Sequence, residues 1–206
     1  TEVRNDGGKA VTVSLRTDIH DPAGKIVATM NDRGRRLEAG ALATLSQSSG
    51  PIMAPALWSP ETPILYKAVT TVLANGRPVD RYETPFGFRW FEWTADRGFF
   101  LNGKHRYLKG ANVHQDQAGW GDAVSNRAME RDVQMMKDAG FDFIRGSHYP
   151  HDPHFAEATD QIGMLFWSEA SFWGIGGFGP DGSWMSSAYP VDPRYKAGFE
   201  ESVKQQ

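Results

Sequence analysis

The sequence of 206 residues contains no cysteine. Disulfide bridges, thiolate zinc sites and cysteine nucleophiles are therefore excluded from this chain. The compartment stays open between cytoplasm and periplasm of a bacterial type of cell, because proteins of either can lack cysteine. Long hydrophobic runs are also missing. None approaches the roughly 20 residues of a bilayer-spanning helix, so no membrane partner is expected. Positive charge is not in excess either. Lys and Arg number 22 against 25 Asp and Glu, a formal charge of −3, which argues against a nucleic-acid partner. What remains is 40% apolar and 23% charged, ordinary for a globular chain. Its surplus is aromatic, with seven Trp, twelve Phe and six Tyr. The length exceeds one immunoglobulin-sized sandwich of roughly 100 residues and falls short of a closed (β/α)₈ barrel of about 250.

The first half reads as β structure. Val11-Thr-Val-Ser-Leu15 and Ala41-Leu-Ala-Thr-Leu45 alternate with the period of half-buried strands, and residues 64–73 form a longer run. Asn75-Gly76 predicts a two-residue hairpin loop between residues 67–74 and 77–84, because both residues accept φ > 0 at little cost. Asp6-Gly-Gly8 and Pro22-Ala-Gly24 supply further turns. These features predict an antiparallel immunoglobulin-like β-sandwich over residues 1–88, an architecture that needs no cysteine pair. Five or six strands are visible, fewer than the usual seven or so. The expectation is that the sequence opens inside this domain, with Val3-Arg-Asn-Asp6 a strand already under way.

The pattern changes near Gly87. Residues 88–94 and 98–109 are aromatic-rich, with a second Asn-Gly turn at Asn102-Gly103. Residues 107–111 read as a strand. A helix follows over 126–139, where Ala128, Met129, Val133, Met136 and Ala139 approximate helical spacing and Gly140 ends it. A strand at 141–145, a helix at 154–162 stopped by Gly163, a strand at 164–167 and a helix from Arg194 complete the series. Such alternation implies a parallel sheet. With three strands, that sheet is expected to be unfinished.

In parallel α/β sheets, functional residues collect at the C-terminal strand ends. Those ends are Asn112-Val-His114, Arg145-Gly-Ser-His148-Tyr-Pro150 and Ser168-Glu169. Two histidines, an arginine and a carboxylate should thus converge on one rim, in a form suited to a sugar or an anion. The alternative is a structural Arg145–Glu169 ion pair with both histidines satisfied by backbone. His148-x-x-His151-x-x-His154 has a metal-like spacing, but Pro150 and Pro153 prevent one helix from presenting the three rings on a common face. Histidines exposed on a loop are the expected account, and neither a metal site nor a cofactor is assigned. Residues 174–182 hold five glycines flanked by Phe172, Trp173, Phe178 and Trp184, without a Walker lysine. The expectation there is a mobile loop whose aromatic faces could cover a sugar pocket.

Several segments also follow one another in a recognisable order. They are Trp58-Ser-Pro-Glu-Thr-Pro-Ile-Leu-Tyr66, Phe86-Gly-Phe-Arg89, Gly98-Phe-Phe-Leu-Asn-Gly-Lys104 and Lys109-Gly-Ala-Asn-Val-His114. Asp132-Val-Gln-Met-Met-Lys137, Arg145-Gly-Ser-His-Tyr-Pro150 and Asp160-Gln-Ile-Gly163 with Ser168-Glu-Ala170 come next. Together they resemble glycoside hydrolase family 2, the β-galactosidase, β-glucuronidase and β-mannosidase family, and most closely its β-galactosidase branch. The likeness runs over about residues 1–174.

That resemblance implies an immunoglobulin-like domain followed, over residues 89–206, by the N-terminal part of a (β/α)₈ TIM barrel, truncated after about three βα units. It implies a retaining exo-β-glycosidase whose two glutamates lie at barrel strands 4 and 7, outside this chain, so the fragment alone is expected to be inactive. His114, Arg145, His148 and Glu169 match substrate-pocket positions, and no catalytic residue is assigned. The implied partner is a β-glycoside substrate in the full-length enzyme. Self-association through the open barrel edge is a further expectation. Val113 departs from the Asn-Arg-His pattern, and Ser171-Phe-Trp-Gly174 stands where some β-galactosidases hold magnesium. A carbohydrate-binding module without catalysis, a different family 2 specificity and a metal-dependent hydrolase are the alternatives.

Overall fold

The computed structural model describes residues 1–170, 176–178, 184–186 and 193–204. It divides into two compact units, Thr1–Phe91 and Glu92–Gln206.

The first unit is all β. Its strands are β1 (Glu2–Arg4), β2 (Val11–His20), β3 (Ile26–Asn31), β4 (Arg35–Leu37), β5 (Leu42–Thr44), β6 (Tyr66–Ala74) and β7 (Arg77–Phe86). One sheet has the order β3-β2-β6-β7, with β4 also paired to β2, and β1 pairs with β5 in a second. All these pairings are antiparallel. Alternation along β2 buries Val13, Leu15, Thr17 and Ile19. Val13, Leu15 and Leu37 meet Ala43 and Leu45 in one core, with Val3 and Val72 packed against it. Residues of both sheets thus share an interior, the definition of a sandwich.

Asn75 and Gly76 sit at φ 49° and 79°, the left-handed pair of a two-residue hairpin. The expected turn after β1 is held by Asn5, whose amide donates to the carbonyls of Lys9, Leu37 and Glu38 at 2.9, 3.2 and 3.0 Å. Strands β3 and β4 were not anticipated. β3 (Ile-Val-Ala-Thr-Met-Asn) buries no residue fully and β4 is three residues with two arginines, so neither shows a clear apolar alternation.

Two of the sequence motifs meet inside this unit. Trp58 is 1% exposed, its backbone N–H donates to the Phe88 carbonyl at 2.9 Å, and Arg89 lies over its ring at 4.5 Å. A Cβ on Gly87 would stand 2.8 Å from Trp58 Cβ, closer than packed carbons approach. Tyr66 and Phe88 pack edge to face at 4.9 Å.

Next come three hydrogen-bonded strands, β8 (Phe91–Thr94), β9 (Gly98–Leu101) and β10 (Lys104–His105), in the order β10-β9-β8, with β9 and β10 antiparallel. Then come β11 (Gly110–Val113), α1 (Asn126–Asp138), β12 (Phe143–Gly146), α2 (Pro153–Ile162) and β13 (Leu165–Ser168). The three strands form one parallel sheet, β11-β12-β13. A short hairpin of β14 (Gly176–Phe178) and β15 (Trp184–Ser186) and helix α3 (Pro193–Lys204) follow. Most of the glycine-rich stretch, with Phe172 and Trp173, lies outside the described residues.

Helix α2 has the ends its sequence predicts. Asp152 accepts the His154 N–H at 2.8 Å, Pro153 takes the first turn, and Gly163 closes it at φ 86°. Strand β11 begins three residues later than expected. Asp142 Oδ1 accepts the Lys109 N–H at 2.8 Å and Oδ2 accepts Arg106 Nε at 3.0 Å, which holds the chain before Gly110 in a polar staple.

Candidate functional site

Register decides what the parallel sheet presents. Ala111, Ile144 and Phe166 lie side by side across the three strands, and so do Asn112, Arg145 and Trp167. Successive residues of a strand point to opposite faces. The Ile144 row is covered by helices: Ile144 is fully buried with Met129, Val133 and Phe155, and Phe166 packs against them. The Arg145 row therefore points away from α1 and α2. Gly146 is needed for this packing, since a Cβ there would fall 2.6 Å from Phe166 Cε2 and 3.3 Å from His151 Cδ2.

Arg145 organises the rim. Its Nε donates to Glu169 Oε1 at 2.7 Å and its Nη2 to Oε2 at 3.0 Å, a bidentate pair. Nη2 also lies 3.0 Å from His148 Nδ1. His148 Nδ1 also stands 3.6 Å from Glu169 Oε2, so the ring edge faces the guanidinium and the carboxylate together. Nη1 reaches Asn112 Oδ1 at 3.4 Å. The ring of His114 meets that of His148 edge-on at 5.2 Å. Hydrogen bonding to Arg145 outweighs burial and holds the Glu169 carboxyl below its ordinary range, with His148 adding to the lowering. Glu169 is accordingly a carboxylate at neutral pH. The structure thus brings together Arg145, His148 and Glu169 by hydrogen bonds, and His114 by ring contact. The ion pair of the alternative reading is present too, but His148 is satisfied by a side chain rather than by backbone.

The three spaced histidines do not converge, and they are not exposed loop residues as expected. His148 belongs to the Arg145 cluster. His151 is half-buried beside Phe155 and Phe166, with Nε2 3.3 Å from the Ser147 carbonyl. Burial lowers its pKa, against the pull of that carbonyl and with the help of His114. His154 lies in α2 and bridges Glu130 of α1 at 2.8 Å and Glu157 at 3.3 Å. Among the described residues no group of three metal-ligating side chains is arranged to hold a metal ion. Sequence reasoning singled out neither Trp167 nor Tyr149. Trp167 had a usable signal, because a register of three parallel strands places it beside Arg145. Tyr149 had none, because its partner, the Gln115 N–H, is a backbone group on another connection.

Comparison with known proteins decides the family. A family model described as Glycosyl hydrolases family 2 matches residues 1–89, and one for the family 2 TIM barrel domain matches residues 94–206. The chain belongs to glycosyl hydrolase family 2. Its sandwich is the family's sandwich domain, and its parallel sheet is part of the family's barrel domain.

Among family 2 proteins, a putative beta-glucuronidase of Formosa agariphila is 39% identical over 133 residues, which cover 65% of this chain and 16% of that protein. The beta-galactosidase BoGH2A of Bacteroides ovatus is 35% identical over 170 residues, 82% of this chain and 20% of the relative. The crystal structure of Bacteroides uniformis beta-glucuronidase superposes with a TM-score of 0.80 at 38% identity, covering 87% of this chain and 22% of that one. The chain thus spans about a fifth of the length of these relatives.

Proposed function

We propose that the protein carrying this chain is a retaining exo-β-glycosidase and that β-galactosides are its substrates. The observation that carries the reading is the Arg145–Glu169–His148 cluster, set at the C-terminal ends of parallel strands in a family 2 barrel domain. Double displacement at a sugar needs two carboxyl groups roughly 5–5.5 Å apart, one of them a proton donor with a raised pKa. Glu169 is held in the opposite direction. It serves as an acceptor for sugar hydroxyls, and the acid and the nucleophile are the family's glutamates from barrel strands 4 and 7.

His114 and His148 offer imidazole N–H groups to the terminal sugar. Arg145 has five N–H bonds; Glu169 takes two, His148 one and Asn112 a long one. One hydrogen on Nη1 is left to orient an incoming oxygen. Because Glu169 already balances the guanidinium charge, Arg145 acts on the substrate mainly by geometry.

The Arg145-Gly-Ser-His-Tyr-Pro150 segment supports a galactoside. A second reading, β-glucuronides, is favoured by the names of several relatives. Hydrolysis of nitrophenyl β-D-galactoside and β-D-glucuronide by the whole purified protein separates them, with kcat/KM for the galactoside expected at least about tenfold higher. A glucuronide preference would select the second reading, and turnover of no β-glycoside would end both. The polypeptide of residues 1–206 alone should hydrolyse neither.

A further inference from the structure

The two pocket histidines sit on different connections, His114 after β11 and His148 after β12, and each is followed by a residue of one hydrogen-bonded strut. The N–H of Gln115, next to His114, donates to the hydroxyl of Tyr149, next to His148, at 3.1 Å. The Gln115 side chain returns the contact, its Oε1 accepting the N–H of Asp152, the residue that caps α2. The Tyr149 ring is itself clamped. It stacks on His151 at 5.4 Å with planes 24° apart, and it stands 6.1 Å from the His114 ring. His151 is in turn fixed by the Ser147 carbonyl and Phe155. Within this stretch the Ser147 hydroxyl and His151 Nδ1 are enclosed without a hydrogen-bond partner among the described atoms. The hydroxyl of Tyr149 thus carries one of the bonds between the two connections, the one next to both imidazoles.

We propose that Tyr149 is a positioning residue that locks His114 and His148 into a single sugar-binding pair. The proposal rests on the glycosidase reading for its kinetic consequence. Its geometry is independent of that reading. Without the hydroxyl, the Gln115 N–H loses its acceptor, and the β11–α1 connection keeps the Gln115–Asp152 bond to the β12–α2 connection but loses the one beside the imidazoles. His114 then moves relative to His148, whose own place is fixed by Arg145. The ring stack on His151 does not need the hydroxyl, so Tyr149→Phe removes the bond and leaves the packing.

Two measurements test this. In the whole protein, Tyr149→Phe should lower kcat/KM for the preferred β-glycoside by several-fold to about tenfold, the scale of one neutral hydrogen bond. The loss should shrink to less than about twofold in a His148→Ala background, because the pair to be aligned is already broken. An unchanged kcat/KM, or the same loss in both backgrounds, would overturn the positioning role. Imidazole resonances give a readout that needs no turnover. In Tyr149→Phe the His114 signals should shift while those of His154, on α2, stay in place. If His114 is undisturbed the strut is wrong, even in a fully active enzyme. If His114 shifts in a protein that cleaves no glycoside, the strut stands and the glycosidase reading falls.

Discussion

The sandwich unit and the barrel unit both carry motifs of the family, yet they use them in opposite ways. In the sandwich, Trp58, Gly87, Phe88 and Arg89 close on one another: the indole is buried, the Trp58 backbone N–H is bonded to the Phe88 carbonyl, and glycine makes the room. In the barrel unit, Arg145 and Glu169 keep side-chain exposures of 36% and 22% and point away from the helices. A residue pattern shared across a family is thus no guide by itself to chemistry. Burial and the direction of the hydrogen bonds separate a motif that closes on itself inside the fold from one that stays accessible at a strand end.

This contrast can be broken by substitution. Trp58→Ala should destabilise the sandwich by about 3–5 kcal/mol, the scale of deleting a buried large aromatic. Gly87→Ala should act in the same direction, because its Cβ has no space beside Trp58. Urea unfolding of the whole protein checks both, and little change in either would dissolve the distinction. Arg145→Ala and His148→Ala should lower kcat/KM by roughly a hundredfold or more, about 2.7 kcal/mol in transition-state stabilisation. Their unfolding midpoints should move far less than that of Trp58→Ala. Near wild-type kinetics in both would remove the pocket assignment.

The smallest effects are electrostatic and differ in sign. Glu169 has a lowered pKa through Arg145, so its contribution to stability is complete above its ordinary value of 4.5 and is lost as pH falls through the lower folded value. His154 has a raised pKa, chiefly through its hydrogen bond to Glu130, so its contribution is complete below its ordinary 6.5 and is lost as pH rises through the folded value. Stability measured against pH should therefore lose the acid-side component in Glu169→Gln and the near-neutral component in His154→Ala. An identical pH profile in either variant would show that its ion pair contributes nothing to folding.

Much of this architecture was legible beforehand, for local reasons. The Asn75-Gly76 hairpin, the glycine stop at Gly163 and the apolar stripe of α1 depend on residues within a few positions of one another. Strand β11 was misplaced because its start is set by Asp142, some thirty residues downstream. The histidines expected to be exposed on a loop are held for a similar reason. His151 and His154 are fixed by an aromatic cluster and by Glu130, partners that spacing does not display.

The rim residues themselves were found from the sequence because parallel strands place function at their C-terminal ends, a rule that requires only strand boundaries. Who bonds whom on that rim was decided by register. Residues 112, 145 and 167 share a face only once the three strands are aligned, and Arg145 can then reach Glu169 and His148 together. Local chemistry, carried by neighbouring residues, determined the strands, the helices and the family's order of motifs. The placing of His148, the ionisation of Glu169 and the strut through Tyr149 arise from contacts 3 to 34 residues apart in the chain. Most of those contacts exist only after the sheet has formed.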